Sequence, residues 1–304
     1  MSTEPLPGAS SAVGEVAPSS GRRRPSRAAA LVRVRRGTYA ERTTWENARP
    51  AERYRTLVQG TLSAMRTPAP LAYESAAIML GIPIIGAWPD RVHVIEATAA
   101  GGRGSAGVTR HGVKRMPDVV MADGVAVTSV ARTVLDMART RTFASALASA
   151  DHALATGATS SEELAEELDL MRGARGLDRA RRVVECADGG AQSVGESLSR
   201  ARMYELGLPV PELQRQFFDD AGFVGRTDFW WYRFCLIGEF DGRVKFARET
   251  ARSDEDAREV LWQEKRREDR LRALGNGVVR WDWSDALDIA RLGRILAAAG
   301  LVPG

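Results

Sequence analysis

The chain has 304 residues, of which 44% are hydrophobic and 27% are charged, so it is long enough to bury a core in more than one domain. It contains no run near the roughly 18 apolar residues that a membrane-spanning helix needs, and no signal-peptide segment follows the early arginines, which predicts a cytoplasmic protein. The two cysteines, Cys186 and Cys235, lie far apart, which argues against a disulfide framework and a CxxC metal site.

The formal net charge is +4, and arginine supplies nearly all of the positive charge because the chain has few lysines. Residues 1–28 are rich in Ser, Gly, Pro and Ala and poor in large apolar residues, which predicts a disordered leader. Arginines are concentrated at its end and just beyond it. Such a basic segment either follows the phosphates of a nucleic acid or is simply solvated, and the sequence leaves both interpretations open.

A β-ribbon is predicted directly after the leader. Apolar and basic side chains alternate and then reach a glycine, in the order Leu31-Val-Arg-Val-Arg-Arg-Gly-Thr-Tyr39. This pattern is typical of a short ribbon, similar to a wing, that turns at Gly37 and has one basic face. Arg33, Arg35 and Arg36 are the residues that we expect to contact nucleic acid.

The middle of the chain alternates between helical and extended spacing. Helices are predicted over residues 51–65, 71–80, 128–136, 143–156, 161–171 and 177–187, and strands over residues 91–96 and 119–127. Ser160, with Glu163 three positions later, predicts a capping box. The three histidines, His93, His111 and His152, lack metal-ligand spacing and indicate no metal site.

The stretch Asp188-Gly-Gly-Ala-Gln-Ser193 interrupts the helical spacing and marks the predicted domain boundary, between residues 29–188 and 189–304. Beyond it we predict a helix over 194–206, strands over 214–219, 223–231 and 234–241, a helix over 253–274, a strand over 277–283 and a final helix. This α-β-β-β-α-β order buries a mixed sheet between helices, so the predicted fold class is α+β.

Two acidic residues lie on neighbouring predicted strands of this domain. Tyr232-Arg233 is short enough for a hairpin turn, which makes the strands antiparallel and sets Asp228 opposite Ile237, with Glu239 as its diagonal neighbour on the same face. A carboxylate among large apolar residues is costly to bury, and a shared cation offsets most of that cost. The sequence therefore predicts that Asp228 and Glu239 bind Mg²⁺.

Four further residues are candidates for the same site. Glu196 lies near the start of the preceding helix. Asp241 follows Glu239 by two positions on the same strand, so the side chains of Glu239 and Asp241 share a face. Lys245 and Lys265 are the lysines of this half and are candidates for the cationic role that phosphodiester cleavage requires. The alternative is that the acids form ion pairs with the arginines of the long helix.

Several blocks of the C-terminal half resemble a known family. They are Glu196-Ser-Leu-Ser-Arg, Gly207-Leu-Pro-Val-Pro-Glu-Leu-Gln214, Gly225-Arg-Thr-Asp228-Phe, Glu239-Phe-Asp-Gly242, Glu264-Lys-Arg-Arg-Glu-Asp-Arg-Leu-Arg272 and Val278-Val-Arg-Trp281. In this order, over roughly residues 190–284, they look like the Vsr-related domains of the PD-(D/E)XK, or restriction-endonuclease-like, fold.

The resemblance implies a nuclease-type domain in which Asp228 and Glu239 match the two metal-binding acids and Glu196 matches the acid of the first helix. A strict motif has lysine two positions after the glutamate, whereas this chain has Asp241, as in the Glu-x-Asp-Gly branch of these domains. Lys245 lies in the vicinity where many members carry a histidine. Cleavage activity is therefore a separate question from the fold.

The N-terminal half resembles a second family. Its blocks are the ribbon sequence, Glu74-Ser-Ala-Ala-Ile-Met-Leu-Gly-Ile-Pro83, Arg91-Val-His-Val and Val127-Thr-Ser-Val-Ala-Arg-Thr-Val-Leu-Asp136. They are similar to AbiEi-type antitoxins and transcriptional regulators, in which a winged helix-turn-helix precedes an antitoxin domain. The leader stands here in place of the two helices before the wing, so the expected DNA contact is to the backbone rather than through a recognition helix.

Two functions follow from these observations. The first is a DNA-interacting protein whose nuclease-type domain hydrolyses phosphodiesters with Mg²⁺, as a metal-dependent endodeoxyribonuclease. The second is a non-catalytic transcriptional regulator or antitoxin of AbiEi type, with a toxin as its protein partner and a degenerate nuclease fold. DNA is an expected partner in both.

Overall fold

The computed structural model of the chain describes residues 31–35, 37–65, 67, 69–97, 107–242 and 254–303, without the side chains of residues 254–257 and 260. The predicted leader, Arg36 and Lys245 lie outside the described residues. Among the described residues, those up to 81 and from 87 to 129 form one compact unit, and those from 82 to 86 and from 130 onward form a second. Within the described ranges, no helix is long and apolar enough to cross a membrane.

The first unit begins with the predicted ribbon and continues with helices and strands. Its elements are β1 (Leu31–Arg35), β2 (Thr38–Glu41), α1 (Arg42–Asn47), α2 (Pro50–Leu62), α3 (Tyr73–Leu80), β3 (Val92–Ala97), β4 (Val108–Val113), β5 (Val119–Ala122) and β6 (Val125–Thr128). The helices predicted over residues 51–65 and 71–80 and the strand predicted over 91–96 are confirmed as α2, α3 and β3. Helix α1 and strand β4 were not predicted.

The ribbon of β1 and β2 is antiparallel, as predicted, and Gly37 has a left-handed φ of 83° at its turn. It packs closely on α2. The Thr38 hydroxyl donates a hydrogen bond of 3.1 Å to the Gly60 carbonyl, and a Cβ at residue 60 would lie 2.3 Å from a methyl carbon of Thr38. Glycine is therefore required in α2 where the ribbon meets it.

An extended segment around Leu71 joins the strands of the first unit. Its backbone hydrogen-bonds on one side to β6, where the Leu71 N–H donates to the Ala126 carbonyl at 2.9 Å, and on the other to β3, where the Ile95 N–H donates to the Pro70 carbonyl at 2.9 Å. Leu71 is fully buried, in a core shared by α2, α3, β3, β4 and β6.

The second unit contains a helical region followed by a sheet with its own helices. Its elements are α4 (Val130–Thr140), α5 (Phe143–Ala155), α6 (Ser161–Leu170), α7 (Leu177–Cys186), α8 (Val194–Glu205), β7 (Glu212–Asp219), β8 (Gly222–Trp231), β9 (Leu236–Phe240), α9 (Asp254–Ala273), β10 (Gly277–Trp281), α10 (Trp283–Leu287) and α11 (Ile289–Ala298). The predicted α-β-β-β-α-β order is confirmed over α8 to β10, and the predicted capping box of Ser160 and Glu163 begins α6.

The four strands form one mixed sheet in the order β10-β9-β8-β7, with β8 antiparallel to both of its neighbours and β9 parallel to β10. On one face Phe229 and Trp281 pack with Leu198 of α8 and Leu292 of α11. On the other face Ile237 packs with apolar side chains of α9 and β8. The α+β class and the placing of the sheet between helices are therefore confirmed.

The predicted boundary at residues 188–193 lies within the second unit. There the Asp188 N–H donates to Asp151 of α5 at 2.8 Å, and Arg200 of α8 donates to the other oxygen of the same carboxylate. Asp151 is fully buried. Hydrogen bonds thus tie the helical region to the sheet region at the point where the sequence pattern breaks.

Candidate functional site

The predicted pairing of β8 with β9 is off by two residues. The strands are antiparallel, but Trp230 pairs with Ile237, and the connection is a four-residue turn that ends at Cys235 with a left-handed φ of 43°. Continuing this register places Asp228 directly opposite Glu239, not diagonal to it. The structure therefore brings the two acids closer together than the sequence predicted.

Asp228 and Glu239 belong to a row of polar residues that crosses the sheet. Arg280 of β10 is aligned with Glu239, and Gln214 of β7 lies between the pairs Leu213–Phe229 and Arg215–Thr227, so it faces Asp228. We call Gln214, Asp228, Glu239 and Arg280 the polar row. Gln214 has a left-handed φ of 54°, a conformation that non-glycine residues hold only where the surroundings enforce it.

Gln214 links the predicted acid of α8 to the polar row. Its side-chain amide donates to Glu196 at 2.9 Å and, from the neighbouring strand, acts against the burial that raises the pKa of Asp228. Glu196 is buried and accepts two more hydrogen bonds, from the Gln192 N–H at 2.9 Å and the Ser193 hydroxyl at 2.7 Å. The structure thus brings Glu196, Asp228 and Glu239 together, and Gln214 is the connecting residue that sequence reasoning missed.

Glu239 forms an ion pair with an arginine of the long helix. Nη2 of Arg267 lies 3.1 Å from Oε1 of Glu239, and the same guanidinium donates to Glu264 at 2.8 and 3.0 Å. Gly225 leaves room for this approach, because a Cβ there would lie 3.1 Å from Cδ and Nη1 of Arg267, a tight contact. The alternative interpretation, that helix arginines pair with the acids, is confirmed for this pair.

Asp241 has a different partner from the one considered in the sequence. Arg280, which lies on β10 rather than on the long helix, donates to Asp241 at 3.3 Å and also contacts Glu264 and Glu268. Asp241 thus belongs to an arginine network at the end of the polar row.

Burial perturbs the acids of the site. It raises the pKa of Glu239 to about 7, with a further contribution from the negative charge of Asp228 and against the charges of Arg267 and Arg280. Burial also raises the pKa of Asp228, although its carboxylate accepts a 2.8 Å hydrogen bond from the Phe240 N–H. The surroundings of Asp228 and Glu239 therefore disfavour the charged forms of both acids.

The two predicted lysines have different outcomes. Lys265 is exposed on α9 and makes no ion pair with the acids among the described residues, and Lys245 lies outside those residues. Two arginines, Arg267 and Arg280, supply the positive charge at the polar row. Of the predicted nucleic-acid contacts, Arg33 is exposed and Arg35 is half-buried on β1.

Asp228 and Glu239 have the chemistry to bind a divalent ion, but Arg267 already pairs with Glu239. Adjacent carboxylates are the hard oxygen ligands that Mg²⁺ prefers. In the part of the chain that the structure describes, no group of three or more His, Cys, Asp or Glu side chains has the geometry to hold a metal. An ion bound by Asp228 and Glu239 would compete with Arg267 for Glu239.

A buried ion network lies in the helical region. Asp136 of α4 is fully buried and accepts hydrogen bonds from Arg132 at 2.9 Å and from Arg139 at 2.8 Å. Arg132 also donates to Glu167 of α6 at 3.2 Å. Arg132 and Asp136 belong to the sequence block that resembles AbiEi-type proteins, and their contacts indicate that they hold α4 and α6 together.

Two histidines of the first unit meet although they lie far apart in the sequence. Parallel pairing of β3 and β4 brings Nδ1 of His93 to 2.9 Å from Nε2 of His111, and the ring of Tyr73 stacks on His111 at 4.0 Å between centroids. Predicting this contact would have required predicting strand β4 and its pairing with β3, which the sequence pattern did not indicate.

Comparison with known proteins identifies the central part of the chain. Residues 69–186 match the family model of the AbiEi antitoxin C-terminal domain. The predicted resemblance is thus confirmed for this segment, which ends two residues before the predicted boundary at Asp188.

Over 118 residues the chain is 36% identical to two uncharacterized proteins of Mycobacterium tuberculosis, one from strain CDC 1551 and one from strain H37Rv. The match covers 39% of this chain and 44% of each relative, so the chain spans less than half the length of the curated relatives it matches. No solved structure matches it.

Proposed function

We propose that this protein is an antitoxin-type regulator that counteracts a toxin partner and associates with DNA. The observation that carries this proposal is the match of residues 69–186 to the AbiEi antitoxin C-terminal domain. The Leu71 segment of the first unit and the buried Arg132–Asp136 network of the second support it, because each provides a buried core on which a partner surface can be built.

The proposed DNA contact lies in the ribbon that precedes the matched segment. Arg33 is exposed there, and the contact between Thr38 and Gly60 fixes the ribbon on α2. Arginines on a fixed ribbon contact phosphates without reading bases, so we expect an affinity that depends on salt more than on sequence. Arg35 and Arg36 are proposed to take part in the same contact.

For the C-terminal region we propose a Vsr-like domain of the PD-(D/E)XK fold. The order of elements from α8 to β10, the mixed four-stranded sheet and the adjacent pair of Asp228 and Glu239 support this proposal. In an antitoxin-type regulator such a domain would act through binding, as a degenerate nuclease fold.

Magnesium-dependent phosphodiester hydrolysis is the second candidate function, and the polar row favours it. Asp228 and Glu239 are the residues proposed to hold the ion, which when bound would stabilise negative charge on the phosphate. Gln214 positions Asp228 and Glu196 relative to each other. Asp241, Lys245 and Lys265 remain the proposed flanking residues that neutralise or orient the substrate.

Growth assays test the antitoxin proposal. The gene encoded beside this one is expressed in a bacterial host, alone or with the full chain, and we expect growth arrest that the full chain relieves. The double variant Asp228→Asn, Glu239→Gln should relieve it equally, because the proposal assigns no role in neutralisation to these acids. Arrest that the wild-type chain leaves unchanged would contradict the proposal.

Cleavage assays test the second candidate. Purified wild-type chain is incubated with single- and double-stranded DNA and Mg²⁺ or Mn²⁺, next to the double variant Asp228→Ala, Glu239→Ala. The candidate predicts a loss of roughly a hundredfold or more in the variant, the scale on which removing a principal electrostatic contributor acts. Equal rates in both proteins would attribute any cleavage to a contaminant and remove the candidate.

A further inference from the structure

We propose that Arg267 is a built-in cation of the Asp228–Glu239 pair, and that Arg267 and a divalent ion exclude one another at Glu239. The proposal rests on the second candidate function, since it concerns the same two acids. It adds that Glu239 is already paired with a side chain of this protein, so that an ion binds to it only in exchange for that side chain.

Position is the first argument. The guanidinium of Arg267 reaches Glu239 from α9 at 3.1 Å, and the side chains of the two residues are 22% and 10% exposed. Both charges are therefore largely buried. In a buried site an ion pair is screened little, and an unpaired carboxylate is costly. Arg267 also lowers the pKa of Asp228 through its charge, so its field extends over both acids.

The surrounding residues hold the guanidinium in place. Glu264, one turn earlier on α9, accepts from Nε and Nη2 of Arg267 at 3.0 and 2.8 Å. Glu264 is itself held by Arg280 from β10. A guanidinium already fixed by Glu264 loses little further freedom when it pairs with Glu239, which favours occupancy of the site by arginine.

The backbone beneath Arg267 is shaped for it. Gly225 of β8 leaves open the space through which the arginine side chain passes, and a Cβ there would lie 3.1 Å from Cδ and Nη1. The backbone conformation does not require glycine here, because the φ of Gly225 is not positive. The close approach of Arg267 accounts for this glycine.

Metal titration by calorimetry tests the exchange, with Mn²⁺ as the probe and the full chain freed of metal beforehand. Arg267→Gln should bind Mn²⁺ about tenfold more tightly than the wild type or better, because the competing cation is removed. Arg270→Gln is the matched control: it removes the same charge from α9, but Arg270 pairs with Asp219 and makes no hydrogen bond to Glu239 among the described residues, so its effect should stay within about threefold.

A second variant tests whether the position of the Arg267 side chain, rather than the total charge of the site, controls Mn²⁺ binding. Gly225→Val keeps every charge but fills the space that the Arg267 side chain crosses, so it should also tighten Mn²⁺ binding. Circular dichroism and thermal unfolding of each variant confirm that the fold persists, and a metal-dependent rise in Tm larger for Arg267→Gln than for wild type provides a readout independent of any cleavage.

The outcomes distinguish the two proposals. Tight binding by Arg267→Gln and Gly225→Val with weak binding by wild type and Arg270→Gln supports the exchange. Equal affinities in all four proteins overturn the exchange and leave the metal site standing. Absence of Mn²⁺ binding from every variant overturns both the exchange and metal-dependent hydrolysis, and leaves the antitoxin proposal untouched.

Discussion

Asp136→Asn is expected to lower the free energy of unfolding by about 3–5 kcal/mol, the range found when one partner of a buried ion pair is removed. The Asp136 side chain is fully buried, and its two oxygens accept hydrogen bonds from Arg132 and Arg139. An asparagine has almost the same shape, but only its Oδ1 can accept, so its NH₂ group would face the second guanidinium donor to donor. Two largely buried arginines would then lose the carboxylate that pairs with them.

Asp169→Asn is the matched control for this substitution. Asp169 lies on α6 and pairs with Arg172, but the side chains are 70% and 77% exposed, so we expect a change below about 1 kcal/mol. Urea unfolding followed by circular dichroism measures both variants at pH 7. Similar small changes in the two variants would contradict the assignment of Asp136 to the core of the matched segment.

This result also bears on how the sequence block around Asp136 is interpreted. An arginine and an aspartate four residues apart on a helix are compatible with chemistry at a site or with structural pairing. Burial decides between them, since Asp136 and Arg132 are both buried and Arg132 also pairs with Glu167 on another helix. A stability defect without a separate functional defect is what the structural role predicts.

Periodicity alone was sufficient for most elements of the second unit. The sheet strands alternate sides, with Phe229 and Trp231 facing α8 and Trp230 facing α9, so hydrophobic spacing identified each of them. The order of helices and strands then restricted the sheet to a mixed arrangement between layers.

Hydrophobic periodicity did not determine the register of β8 against β9, on which the positions of Asp228 and Glu239 depend. It depends on the length of the turn, and the left-handed backbone of Cys235 makes the connection four residues rather than two. The pairing of Asp228 with Glu239 survived this error because a shift of two residues keeps side chains on the same face.

The partners of the acids depend on contacts distant in sequence, which spacing does not report. Gln214 faces Asp228 and reaches Glu196 because β7 pairs with β8. Arg280 reaches Asp241 because β10 pairs directly with β9, although α9 separates the two strands in the sequence. Aligned homologous sequences or the fold itself would be needed to find such contacts. The same holds for His93 and His111, which meet only because β3 and β4 pair.

The second large effect concerns the pH dependence of stability at Glu239. Its pKa is about 7 in the folded chain, against 4.5 for the ordinary group, mainly because burial penalises the charged form. Between these values the folded state binds more protons than the unfolded state, so stability falls as the pH rises from about 4.5 to 7 and stays low above it. The shift corresponds to a loss on the order of 3 kcal/mol.

Glu239→Gln should remove this dependence, because glutamine resembles the protonated acid at every pH. Measured by urea unfolding in the presence of a chelator, the variant and the wild type should have similar stabilities near pH 4.5, and the variant should be more stable by a few kcal/mol at pH 8. Glu264→Gln is the matched control. Its pKa is lowered to about 2, mainly by the hydrogen bond from Arg267, so its pH-dependent contribution is lost only in more acidic solution. A constant difference between Glu239→Gln and wild type from pH 4.5 to 8 would mean that Arg267 fully offsets the burial of Glu239, and that the acid is charged throughout.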